Sequence, residues 1–124
     1  MAFSDEWVIS GTLTEERSSM GYGSSESWGL VMAGGYMGSY QLLSSVETTA
    51  NGITFGTLPN LDREVESPCL VVIDDDKIFT CGGFITSVTG TEILSRGTFI
   101  FSKTTNSWSR YVLFKENYLL IKDK

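Results

Sequence analysis

The chain of 124 residues has no histidine, two prolines and two cysteines. Without histidine there is no Ser-His or Cys-His pair to activate a nucleophile, and no imidazole to hold a metal. Two cysteines, Cys69 and Cys81, do not make a disulfide scaffold. They read as buried thiols acting as small hydrophobes, and a bridge between them would require paired strands in the right register. No apolar run approaches the ~20 residues needed to span a bilayer as a helix. The opening MAFSDEWVIS has no basic stretch ahead of an apolar block, so nothing resembles a secretory signal, which points to the cytoplasm. Basic residues are also scarce: nine against fifteen acidic ones, for a net charge of −6. They are scattered (Arg17, Arg63, Lys77, Arg96, Lys103), so no stripe exists to neutralise phosphates. That argues against nucleic acid and against anionic membrane surfaces as partners.

What is present is a hydrophobic fraction of 41%, enough for the core of one small domain. Amphipathic helix patterning is nearly absent. Short runs rich in Val, Ile, Thr and aromatics alternate with Gly, Asn, Asp and Ser, the pattern of an all-β chain. Strands are expected near 7–13, 17–24, 28–34, 42–50, 53–58, 67–74, 77–82, 97–104, 108–114 and 118–122. The clearest hairpin is CLVVIDDDKIFTC (69–81), two apolar arms about Asp74, Asp75 and Asp76.

Two stretches have the same shape. LVMAGGYMGS (30–39) and IFTCGGFITS (78–87) each run from apolar residues through a glycine pair to an aromatic. A shift of 48 lays Gly34-Gly35-Tyr36 on Gly82-Gly83-Phe84. A shift of 46 lays Trp7 on Ile53 and Arg17 on Arg63, and a shift of 55 brings TTANGI (48–53) onto KTTNSW (103–108). Trp108 then takes the place of Ile53 and Trp7. The extra residues of the second repeat fall between Phe84 and Thr98 and look like a longer loop. A period of about 50 residues built from four short strands is the mark of a propeller blade or similar array.

These residues resemble the kelch-repeat β-propellers. The resemblance covers nearly the whole chain and rests on Gly34-Gly35, Gly82-Gly83, the Thr-Asn or Ala-Asn turns, the Trp7/Ile53/Trp108 position, Leu58-Pro59, and Arg17 and Arg63. It implies two four-stranded antiparallel blades plus partial blades at both termini: a remnant at 1–16, blades at 17–62 and 63–115, and a terminal strand at 116–124. The inner strand, RSSMGYGSS (17–25), suits the crowding near a propeller axis. Gly34, Gly35, Gly82 and Gly83 permit a sharp corner that a Cβ would obstruct, and Trp7 and Trp108 would fill the wedge between blades. Propellers close with typically four to eight blades, so two require completion by more of a longer chain or by further copies, unless the chain folds instead as a compact sandwich.

No candidate chemistry outweighs this. DDDK (74–77) lacks cation-loop spacing and reads as a solvated turn. MGYGSSESWG (20–29) has no lysine or helix to make a phosphate cradle. Glu15, Glu16, Asp62, Glu64 and Glu66 are better read as exposed acidic corners than as paired hydrolytic carboxylates. The missing histidine counts against the copper chemistry of some kelch-like oxidases. The resemblance implies a non-catalytic protein-protein interaction module with no cofactor. Its partner-binding residues would be Arg17, Tyr36, Met37, Tyr40, Arg63 and Phe84, on loops that project from one face. The alternative is a self-assembling unit in which several chains close a ring.

Overall fold

A computed structural model describes residues 6–39, 41–110, 112–115 and 118–122, the last two stretches by backbone alone. The described chain is all-β. Strands β1 (Gly21–Ser25), β2 (Gly29–Ala33), β3 (Val46–Thr49) and β4 (Gly56–Leu58) form one four-stranded antiparallel sheet in sequence order. Strands β5 (Cys69–Val72), β6 (Lys77–Cys81), β9 (Thr98–Ser102) and β10 (Ser107–Arg110) form a second, also a meander. Between β6 and β9 rises a separate hairpin, β7 (Phe84–Thr86) with β8 (Glu92–Leu94). The chain continues into a further hairpin of β11 (Val112–Lys115) and β12 (Tyr118–Lys122). No described helix is long and apolar enough to cross a membrane.

The alternation of side chains along each strand places one face of each sheet against the other. Val31, Ala33 and Val46 of the first sheet and Leu70, Ile78 and Phe101 of the second belong to one buried cluster, joined by Trp28, Leu61, Val65 and Ile85. β1 lies against β5, and a Cβ on Gly21 would come within 2.7 Å of the Pro68 carbonyl oxygen, so the small residue allows the approach. Two indoles lock the seam. Trp28 Nε1 donates to the Asp74 carbonyl at 2.8 Å, and Trp108 Nε1 donates to the Pro59 carbonyl at 2.8 Å. Phe101 sits between them, with ring centroids 6.0 Å from Trp28 and 5.3 Å from Trp108.

The shift of 48 is a structural equivalence. Gly21 pairs with Ala33 and, 48 residues on, Cys69 pairs with Cys81. Ser18 and Tyr36 exchange backbone hydrogen bonds of 2.9 and 2.8 Å; Glu66 and Phe84 exchange bonds of 2.9 and 2.7 Å. Ser19 and Ser67 both adopt positive φ, 52° and 54°.

Four expectations need correction. Residues 7–13 form no strand, and Trp7 is 101% exposed rather than wedged. The segment instead runs past the 52–53 turn, where Ser10 Oγ donates to the Gly52 carbonyl at 2.9 Å. The stretch between Phe84 and Thr98 is a hairpin as well as a loop. The strand expected over 108–114 divides into β10 and β11, and the terminal strand pairs with β11 instead of opening a new sheet. Arg17 and Arg63 are not equivalent, because the corners keep a shift of 48 and not 46.

Candidate functional site

The glycine corners build the loop end of the molecule. Gly34 and Gly35 have φ of 66° and 109°, and Gly82 and Gly83 have 71° and 92°. A Cβ on Gly35 would lie 2.6 Å from the Ser18 carbonyl oxygen, and one on Gly83 would lie 2.5 Å from that of Glu66. Both sterics and backbone conformation therefore demand glycine at the second position of each pair. Gly34 is crowded too, at 2.4 Å from the Val65 carbonyl oxygen, whereas a Cβ on Gly82 would meet nothing within 4 Å. The corners aim Tyr36 and Phe84 along the same end of their respective sheets. Tyr36 is half-buried and bridges on to Leu42, while Phe84 is exposed and opens the β7–β8 hairpin. Met37 is half-buried, its N–H donating to the Gln41 carbonyl at 3.0 Å. Tyr40 lies outside the described residues.

Arg17 does something other than meet a partner. Its side chain has 0% exposure and donates to the Gly34 carbonyl at 2.7 Å, the Ser45 carbonyl at 3.1 Å, Ser45 Oγ at 2.8 Å and Glu47 Oε2 at 2.8 Å. Glu47, in β3, accepts further bonds from Thr14 N–H and Oγ1 and from Glu15 N–H. Burial pushes the Glu47 pKa up, but these bonds from Thr14, Arg17 and Glu15 outweigh it and leave the value below its ordinary level. The pair clamps residues 14–17 across the back of the first sheet. Sequence carried no signal for this: a glutamate alternating with Val46 and Thr48 in a strand reads as a solvent-facing residue, and only the fold lays residues 14–17 over it.

Arg63 is exposed, with only a long 3.5 Å contact from Nη2 to the Thr86 carbonyl. It lines a groove of about 260 Å³ between the β7–β8 hairpin and the second sheet. Arg96 and Arg110 line the same groove over a floor that includes Ile85, Ile93 and Phe99. Neither Arg96 nor Arg110 was singled out as a site residue, since residues this far apart converge only once the fold is known. A neighbouring groove of about 170 Å³ is acidic, with Glu15 and Glu64 on its walls.

Asp76 accepts from Thr104 Oγ1 and N–H, both at 2.8 Å, and from Ser102 Oγ at 2.9 Å, and these bonds hold its pKa well below the carboxylate range. Cys69 and Cys81 are free thiols directly opposite each other on β5 and β6, but Cys69 is exposed and Cys81 half-buried, which corrects the expectation of two buried thiols. Among the described residues no three His, Cys, Asp or Glu side chains gather as metal ligands would.

No protein-family model matches the chain, and no curated protein sequence does. Among solved structures, 71 chains match. One is the structure of YjhT, with a TM-score of 0.66 and 14% identity over 89% of this chain. The chain spans about a third of the length of YjhT, 34%. At that identity the likeness is one of fold alone.

Proposed function

We propose that the chain is a segment of a kelch-type β-propeller, two blades with partial strands at each end, that works as a non-catalytic protein-interaction module. One observation carries the reading: the Gly-Gly corner, its cross-bridge and the positive-φ serine before it recur at a spacing of 48 residues with the same backbone bonds. Radial repetition of a four-stranded unit is how propellers are built, and each unit buries its face only against its neighbour. The shared core between the two sheets is such a face-to-face burial. That a longer solved chain contains this fold supports a segment rather than a finished ring. The blade boundaries at 17–62 and 63–115 belong to this reading.

Interaction is assigned to the loop end, where Phe84, Arg63 and the edge of Met37 are presented. A benzophenone amino acid at position 84 should give a discrete adduct with another protein in cell extract on illumination. The same probe at Val71, on the far face of the second sheet, should not. Equal labelling from both positions would refute the assignment.

A self-assembling unit is the second reading, favoured by the apolar row on the back of the second sheet. There Val71, Phe79 and Ile100 stand in one cross-strand row, and Val71 is exposed. A sedimentation mass of one chain at high concentration would count against it.

A further inference from the structure

Four arginines occur in the chain. One is Arg17, neutralised inside the fold by Glu47. The other three, Arg63, Arg96 and Arg110, are exposed and come from the connection after β4, the connection after β8 and the end of β10, yet all line one groove. Carboxylates outnumber cations fifteen to nine in the chain, so partners for each are available. Yet no described carboxylate forms an ion pair with any of the three. Asp62 lines the groove, and among the described residues it is the one carboxylate that does. The local balance is therefore positive in an otherwise acidic molecule.

Shape adds to charge. The groove has an apolar floor and wall, with Ile93 at 44% and Leu94 at 71% exposure. Leu94 and Ile93 belong to β8, a strand that pairs with β7 alone among the described residues. Guanidinium groups above an apolar floor match a ligand that is anionic at one end and greasy beside it. Phosphate backbones lack the greasy part, and an uncharged apolar peptide would leave three guanidiniums uncompensated.

We infer that this groove receives a glutamate or aspartate side chain together with a flanking apolar side chain from an extended segment of a partner protein. Charge complementarity selects that occupant, and the inference rests on the interaction reading above. The carboxylate takes charge-assisted bonds from Arg96 and Arg110, Arg63 closes the other side, and the apolar neighbour packs on Ile93 and Leu94.

The test is a titration of the full chain with an acetylated, amidated pentapeptide alternating leucine and glutamate, read by NMR. Saturable shifts should appear at the Ile93 and Leu94 methyls and at the arginine Nε–H groups. R96Q and R110Q, at exposed positions, should each weaken binding about tenfold while leaving distant resonances in place. Raising the salt should weaken it further. A glutamine version of the peptide that shifts the same resonances equally would overturn the inference. So would N-acetylglutamate binding as tightly as the pentapeptide, which would make the ligand a small carboxylate. A benzophenone adduct at position 84 that persists in the R96Q/R110Q double variant would sink the groove and leave the interaction reading standing.

Discussion

Replacing Glu47 with glutamine removes one charge from a side chain that is 1% exposed, with almost no change in size. In the native chain its oxygens accept from Thr14 N–H at 2.8 Å, Glu15 N–H at 3.2 Å and Arg17 Nη2 at 2.8 Å, as well as from Thr14 Oγ1. The Arg17 side chain has 0% exposure and its other carboxylate neighbour, Glu15, is 3.9 Å away, so E47Q removes the close partner of a buried guanidinium. One further atom of that group, Nε, already lacks a partner, so there is no slack to absorb the loss. Breaking one side of a buried pair costs about 3–5 kcal/mol. A small domain is stable by only about 5–15 kcal/mol, so E47Q should remove a large part of the total. Urea unfolding, followed by emission from Trp28 and Trp108 in the sheet seam, reads it directly.

The pH dependence fixes the cause. The folded pKa of Glu47 is depressed below its ordinary value. Its contribution is then fully present above the unfolded value of about 4.3 and is lost as pH falls through the folded one. The gap between native chain and E47Q should be full near pH 7 and should shrink progressively below about pH 4. An E47Q variant within about 1 kcal/mol of the native chain near pH 7 would refute the clamp. So would a gap that stays constant into acid.

The glycine corners and the thiols supply two more tests. Gly83→Ala brings a Cβ to 2.5 Å from the Glu66 carbonyl oxygen, whereas Gly82→Ala meets open space, both at positive φ. Backbone conformation alone costs about 1–2 kcal/mol at either position, so G83A should melt several degrees lower than G82A; equal melting temperatures would contradict the corner geometry. Cys69 is exposed, whereas burial first, and the neighbouring Cys69 second, raise the Cys81 pKa. Iodoacetamide near neutral pH should therefore alkylate Cys69 before Cys81, because the thiolate is the nucleophile. Mass mapping that finds the reverse order would contradict the placement of the two strands.

The paired strands of each repeat were legible because their signals are local. Short, mostly apolar runs ending in a glycine pair specify β2 and β6, and the corner that follows cannot tolerate side chains at Gly35 and Gly83. Residues 7–13 carry the same Val, Ile and Thr content but form no strand, since pairing depends on a neighbour that composition does not reveal. The β7–β8 hairpin had a signal in FITSVTGTEIL (84–94), with Gly90 at its turn, masked by reading the insertion as loop. Arg17 and Arg63 look alike in sequence, each beside acidic residues. Their fates diverge because, among the described residues, only the back of the first sheet holds a buried carboxylate. The arginine groove was illegible for a different reason: its members are joined by tertiary folding alone.

The two sheets differ most on the faces turned away from the shared core. Alternation puts Met32 and Glu47 on the back of the first sheet, and both are buried there, with Glu47 bonded to residues 14–17. The back of the second sheet carries Val71, which is exposed, beside half-buried Phe79 and Ile100. On the self-assembly reading, a head-to-tail ring of copies would set the second sheet's back against the first sheet's back, with the 14–17 segment in that contact as its equivalent at the shift of 48, residues 62–65, sits beside the existing one. The Arg17–Glu47 pair then fixes the surface that the neighbouring sheet would meet. E47Q, by loosening that surface, should lower the mass of any such assembly in a sedimentation experiment; an unchanged distribution would separate the clamp from assembly.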